Sequence, residues 1–293
     1  MTVRDADGAT QVSATLVAFA RGEAVAAPYD GWSKPPSADI VERAVRRGRP
    51  GGWATGQLIA TVRSLVRSGG LDGDDLVAAL AGADDASASA SALGLREGGA
   101  QLTDPSRVGT DSATCASRAV AAGLWHRAPA AAAALGRSQA SVTHDDEIAI
   151  DAAGVIAAAT AVCLNAEWRD PAAGFLAEVV REHAQTPAVR RQLERVVRWD
   201  VVPPPPTAAR ELGNGADALP LVGPALLAAS FRDVSVAIAW AARIGNHPSQ
   251  VTAVGAALAA AWGPIAASGL GDVVSGYADL AALAVQLEDA RPR

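Results

Sequence analysis

The run Ile244–Pro264 constrains the fold of this chain more than any other feature. A polar loop breaks directly into a helix made of Ala, Gly and Val, and Gly263 and Pro264 close it. Pro248 suits a first helical turn, where its missing N–H costs nothing, and Asn246 or His247 can stand at the cap. Small side chains let neighbouring helices approach closely, which places this helix in the interior. A buried helix whose N-terminus opens onto a polar loop has two readings. It is a packed core element, or a ligand site offering free N–H groups and a positive dipole end.

The rest of the chain supports an all-α reading. Half of its 293 residues are hydrophobic while only 4% are aromatic, the balance expected of closely packed small-residue helices. Apolar periodicity and breakers predict helices over 10–21, from about 53 to 66, over 72–80 with Asp72 as cap, 113–124, 149–164, 171–184, 187–199 and about 275–287. Pro203–Pro206 reads as a stiff surface connector. No composition break divides the chain, so one domain over 1–293 is expected.

A net charge of −6 weighs against a nucleic-acid partner, which needs a basic surface. Lys34 is the only lysine, a compositional bias rather than a functional sign. Cys115 and Cys163 sit in apolar surroundings and suggest neither a disulfide framework nor a zinc cluster. The N-terminus does not read as a signal peptide, and no apolar run is expected to reach the roughly 18–20 residues of a membrane span. A cytoplasmic protein with no membrane partner is the expectation.

Several polar residues stand out, each with a structural alternative. Asp30 before Gly31 is a turn residue or a general base. Arg43, Arg46, Arg47 and Arg49 form a solvated face or a phosphate clamp. Thr143 and Asp146 have capping-box spacing. His144, beside Asp145 and Asp146, is either held charged or a proton carrier. Core packing is the default for Trp125, Trp168, Trp199, Trp240 and Trp262. Trp32 and Trp53 fall next to polar motifs, where a flat substrate can stack.

The order and spacing of five motifs resemble the ADP-ribosylglycohydrolase family, which includes hydrolases that remove ADP-ribose from modified proteins. Residues 22–31 resemble its first motif, with Glu23 for the family's Asp and Asp30 for its closing Glu. Residues 50–57 resemble its Trp-Thr-Asp-Asp-Thr-Gln segment. Residues 108–118 resemble a glycine-rich turn that lines the family's ligand cavity, with Cys115 near the usual Arg. Residues 141–147 resemble the segment before its long central helix. Residues 212–264 resemble its C-terminal signature, with a helix filling 225–244 and Trp262 as the closing aromatic.

The resemblance implies an all-α, single-domain orthogonal multi-helix bundle with one cleft. It also implies a dinuclear magnesium site, whose aspartates are replaced here. Ala54, Thr55 and Gln57 stand in one motif, His247 and Ser249 in the other, and no acidic residue occurs between Glu42 and Asp72. Magnesium prefers carboxylate oxygens in near-octahedral geometry. No metal and no cofactor are therefore expected.

Two functions follow. In the first, acid–base chemistry without magnesium acts on a nucleoside, ADP-ribose or other small molecule. Asp30, His247, His144, Glu23 and Asp111 are then the catalytic candidates. Trp32, Trp53, Thr55, Gln57, Thr110, Ser112, Asp145, Asn246, Ser249 and Gln250 are the substrate-binding candidates. In the second, the chain is a pseudoenzyme that binds an ADP-ribose-like ligand or a protein partner. Oligomeric state is not readable from the sequence.

Overall fold

Small side chains at the helix contacts set the architecture. The computed structural model describes residues 3–32, 34–47, 52–82, 113–165, 173–263 and 278–292. In chain order its helices are α1 (Val3–Ala26), α2 (Ala38–Arg47), α3 (Trp53–Ser68), α4 (Gly73–Gly82), α5 (Thr114–Arg118), α6 (Val120–Trp125), α7 (Pro129–Ser141) and α8 (Glu147–Asn165). They continue as α9 (Phe175–Val180), α10 (Pro187–Val197), α11 (Pro205–Leu212), α12 (Ala218–Ala229), α13 (Val234–Ala241), α14 (Pro248–Trp262) and α15 (Ala278–Ala290). No strand occurs among the described residues, and one isolated antiparallel bridge joins Trp32 to Asn246.

The small-residue run becomes α14, which is buried along its length except at Gln250. Helix α1 lies antiparallel against it. Near one end, Gln11 Nε2 donates to the carbonyls of Ala260, Ala261 and Gly263 at 2.6, 3.0 and 3.3 Å. Near the other, Gly22 packs so tightly that an added Cβ would stand 2.6 Å from the Thr252 carbonyl oxygen. Gly255 brings α14 equally close to α12, where a Cβ would meet that of Ala228 at 2.7 Å. Helix α8 is the second central element, packed on α6 and α7. One hydrophobic cluster links all of these, from Val12 to Leu287.

Several boundaries differ from the sequence expectation, each for a local reason. Helix α1 does not stop at Arg21 but runs to Ala26, because Gly22 is held for close approach and not for a break. The expected helix over 225–244 is two helices: Arg232 takes a left-handed φ of 54° and Asp233 caps α13 by accepting from Val236 N at 2.9 Å. The helix over 113–124 is split at Ala119. The one over 171–184 shrinks to α9 plus a 3₁₀ turn. Pro205 is buried and opens α11 instead of lying in a surface connector. Asp146, not Thr143, caps α8, accepting from Ala149 N at 2.7 Å.

The expectation that no run is long enough to span a membrane also needs correcting. Helix α8 is long and apolar enough by length and composition, but most of it lies buried inside the bundle. Its hydrophobicity comes from being the centre of a helical core. Of the tryptophans, Trp125, Trp240 and Trp262 are buried as expected, Trp199 is half-buried, and Trp168 lies outside the described residues.

Replacing Gly22 with Ala should push α1 away from the α14 backbone and lower the unfolding free energy by about 2 kcal/mol. Urea denaturation measures this; an unchanged midpoint would show that the two helices have room to spare.

Candidate functional site

The head of α3 has no side-chain cap of its own, with Gly52 at the cap position. Glu23 supplies the missing acceptor from α1. Its Oε1 accepts from Ala54 N at 2.7 Å, and its Oε2 accepts from Gly52 N at 3.0 Å, Thr55 N at 2.7 Å and Thr55 Oγ1 at 2.6 Å. Helix N-termini leave N–H groups unsatisfied and carry partial positive charge, so a buried carboxylate is stable there. Both oxygens of Glu23 are committed to this cap. Thr55 is committed with it, its hydroxyl donating to Glu23.

One turn further along α3, Gln57 meets a residue that the sequence reading missed. Arg118, on α5, is 1% exposed. Its Nη1 donates to Gln57 Oε1 at 3.1 Å, its Nε to Gln139 Oε1 at 2.6 Å, and its Nη2 to the Gln139 carbonyl at 3.2 Å and to Thr143 Oγ1. Burial lowers its pKa to about 10, so it stays charged at neutral pH. The sequence signal was present: Arg118 interrupts an otherwise apolar run, one turn after Cys115. The Cys115 thiol cannot serve as its counterion, because burial pushes it up to about 12.

Through Thr143 this guanidinium reaches His144, whose Nδ1 lies 2.8 Å from Thr143 Oγ1. Burial, with the charge of Arg118 adding to it, lowers the His144 pKa to about 3. The imidazole is therefore neutral across the physiological range. This corrects the expectation of a histidine held charged by Asp145 and Asp146, because the dominant neighbouring charge is a cation. Asp145 is exposed, and no hydrogen bond or ion pair among the described residues joins it to the other candidates.

The head of α14 is built by three loops laced together. Gly245 and Asn246 take φ values of 86° and 58°, turning the chain sharply before Pro248. Gly31 N donates to Asn246 O at 2.5 Å and Asn246 N to Trp32 O at 3.3 Å, while His247 N donates to Asn214 O at 3.3 Å. His247 occupies the cap position but makes no side-chain cap bond. Asp30 does that work from outside, its Oδ1 accepting from Ser249 N at 3.1 Å. Asp30 is exposed as a residue, yet loss of water around its carboxyl raises its pKa. Hydrogen bonds from Ser249 and the proximity of His247 pull it part of the way back.

Asp30, far in sequence from His247 and Ser249, thus meets them at one helix end. Trp32 stands beside them, 51% exposed, its ring edge-on to Tyr29 with centroids 5.3 Å apart. Among the described residues, Trp53 Nε1 on the first turn of α3 and Gln250 Oε1 on the first turn of α14 are buried without a hydrogen-bond partner. Thr110, Asp111 and Ser112 lie outside the described residues. A cavity of about 370 Å³ between α1 and α2 is lined by Val25, Tyr29, Ile40 and Arg43 among others, and by none of the catalytic or substrate-binding candidates.

The residues present do not fit magnesium. At the positions matching its ligands stand Ala54, Thr55, His247 and Ser249, and Thr55 is occupied by Glu23. Among the described residues, no three His, Cys, Asp or Glu side chains gather as they would around a metal ion.

Comparison with known proteins agrees with this architecture. A family model described as ADP-ribosylglycohydrolase matches residues 5–291. A solved structure titled an ADP-ribosylglycohydrolase-related protein complex superposes with a TM-score of 0.77 at 19% identity, covering 98% of this chain and 100% of that one. At that identity the likeness shows the fold. No curated protein matches the chain.

Removing the α3 cap by Glu23→Ala should cost about 3 kcal/mol of stability, with Glu23→Gln recovering part of it; thermal unfolding of the three proteins measures the order. His144 gives a pH signature. An imidazole held below its unfolded value binds fewer protons when folded, so its contribution is complete above about pH 6.5 and is lost as pH falls. Between pH 7 and pH 5 it should account for on the order of 2 kcal/mol of acid destabilisation, absent in His144→Asn. Titration of His144 near pH 6.5 by NMR would contradict the assignment.

Proposed function

Because the chain belongs to the ADP-ribosylglycohydrolase family, we propose that it carries out acid–base hydrolysis without magnesium on a nucleoside, ADP-ribose or other small molecule. The observation that supports this most is the convergence of Asp30, His247 and Ser249 at the head of α14. A carboxylate whose pKa lies above the ordinary range is better matched to proton abstraction near neutral pH. Asp30 takes a proton from the attacking water, whose oxygen bonds to the anomeric carbon. The glycosidic bond breaks, and His247 gives the leaving group a proton. Ser249 holds Asp30 in place, and Trp32 offers a stacking face.

Glu23 and His144 take no proton in this scheme. We read both as scaffold, a reading supported by the four donors on the Glu23 carboxylate and by the burial of His144. That same saturation favours the second reading, a pseudoenzyme retaining the fold for binding. The setting we propose is one domain over 1–293, cytoplasmic, with a small-molecule ligand and neither nucleic acid nor membrane as partner.

Product release in the presence of chelator decides between the readings. Wild type should turn over, and Asp30→Asn and His247→Ala should each lose at least about a hundredfold in rate. The acidic limb of the pH–rate profile should lie above the ordinary carboxylate value of 3.8. Ligand binding with no turnover across nucleosides and ADP-ribosyl substrates would leave the pseudoenzyme. Turnover appearing only on addition of magnesium would sink the metal-free scheme.

A further inference from the structure

The cavity between α1 and α2 has no part in the acid–base scheme, and its walls show what it can hold. Ala24 on α1 and Ala44 on α2 both line it, and neither side chain is long enough to fill the space between the helices. Ile40, Arg43 and Ala44 stand three and four residues apart, so they share one stripe of α2. That stripe lines the cavity, while Val41 beside it is buried. The 3₁₀ turn Ala27–Tyr29 contributes Pro28 and Tyr29. The volume of about 370 Å³ lies within the roughly 300–1,000 Å³ of small-molecule sites.

The apolar walls reach solvent. Ile40 is 38% exposed and Pro28 is exposed as well. Tyr29 carries the apolar surface on to Trp32, whose ring meets it edge-on. Apolar side chains gathered around a concavity, with one polar group among them, are the composition of a ligand groove. A second cavity, of about 380 Å³, is lined by Glu178, Arg181, Glu182, Arg190 and Glu194, with Val179 its one apolar residue. It has no wall for an apolar body.

Arg43 is the one charged residue among the described residues that line the α1–α2 cavity. Its Nη1 meets Asp39 Oδ2 at 3.0 Å, and both side chains are more than half exposed. Such a pair contributes little to stability, and a guanidinium has five N–H donors. Arg43 can therefore take a second carboxylate while Asp39, itself held by Ser37 Oγ at 2.5 Å, keeps it in place. A phosphate dianion fits less well. Its second charge would face Asp39 with no second cation in the wall to answer it.

We propose that the α1–α2 cavity binds a small amphipathic monoanion, an apolar chain or ring that ends in one carboxylate. The apolar body lies against Ala24, Val25, Ile40 and Ala44, and the carboxylate on Arg43. This site is independent of the chemistry proposed for the head of α14.

Calorimetric titration of the full chain with octanoate and with octan-1-ol tests it. Octanoate should bind saturably and at least about tenfold more tightly than the alcohol. Arg43→Gln should remove that preference. Ala44→Leu, whose side chain fills the cavity, should weaken octanoate about tenfold while Tm stays the same or rises. Should the filled variant fail to fold, Arg43→Gln at its exposed position still decides the matter. No saturable binding, equal affinity for the two probes, or a preference that survives Arg43→Gln would overturn the proposal. So would a well-folded Ala44→Leu that binds octanoate as wild type does. A chain that sediments as a dimer, and that Ile40→Asp dissociates, would give the apolar rim to a second copy and overturn it as well.

Discussion

The Glu23 carboxylate seated on the head of α3 is the contact on which the rest of the site depends. It forms because α1 stays helical through Gly22, which has no side chain to keep it from the Thr252 carbonyl of α14. That approach carries Glu23 to an unsatisfied helix end, where four donors converge on it. Seven residues later the same segment delivers Asp30 to the head of α14. Two helix dipoles are thereby offset by acids from one short stretch of chain, Glu23 on α1 and Asp30 just beyond it, and the helices that bear the family's metal motifs are held by carboxylates of the chain itself.

The cation in this interior is handled differently from the buried ion pair elsewhere in the core. Asp151 is met by Arg137 at 2.9 Å and also accepts from Gln185 N, Thr186 N and Thr186 Oγ1. There a charge meets a charge and the backbone completes the shell. Arg118 meets amide and hydroxyl oxygens instead, and its charge is spread over neutral dipoles. Such an arrangement holds only when each acceptor is fixed. Gln139 is fixed by donating to the Cys115 and Gly136 carbonyls at 2.9 and 3.1 Å. Burial keeps His144 neutral and the same charge adds to it, so α3, α5, α7 and the loop before α8 share one electrostatic network.

These two networks divide the polar residues by role. Glu23, Thr55, Gln57 and His144 are tied into the scaffold, whereas Asp30, His247, Trp32 and Gln250 lie at the laced loops where surface and interior meet. Of these groups Asp30 has its carboxyl pushed above the ordinary carboxylate value by loss of water, whereas both oxygens of Glu23 are taken up by the α3 cap.

Much of the fold was legible in the sequence, because helix formation and burial are written in local pattern. The small-residue runs over 149–164 and 248–262 identified the two central helices, and the order of the motifs carried the family. The loss of acids at the magnesium positions was equally plain from residue type. What the sequence left undecided was the employment of each polar group. Glu23, Asp30 and His144 are all ionisable side chains in motif positions, and nothing in their spacing separates a cap from a base. Tertiary contact decided it: hydrogen bonds across 31 and 32 residues saturated Glu23, one across 219 oriented Asp30, and burial beside Arg118 neutralised His144. Residue identity sets which protons a group can exchange, but its pKa and its free lone pairs depend on neighbours that only the packed helices bring within reach.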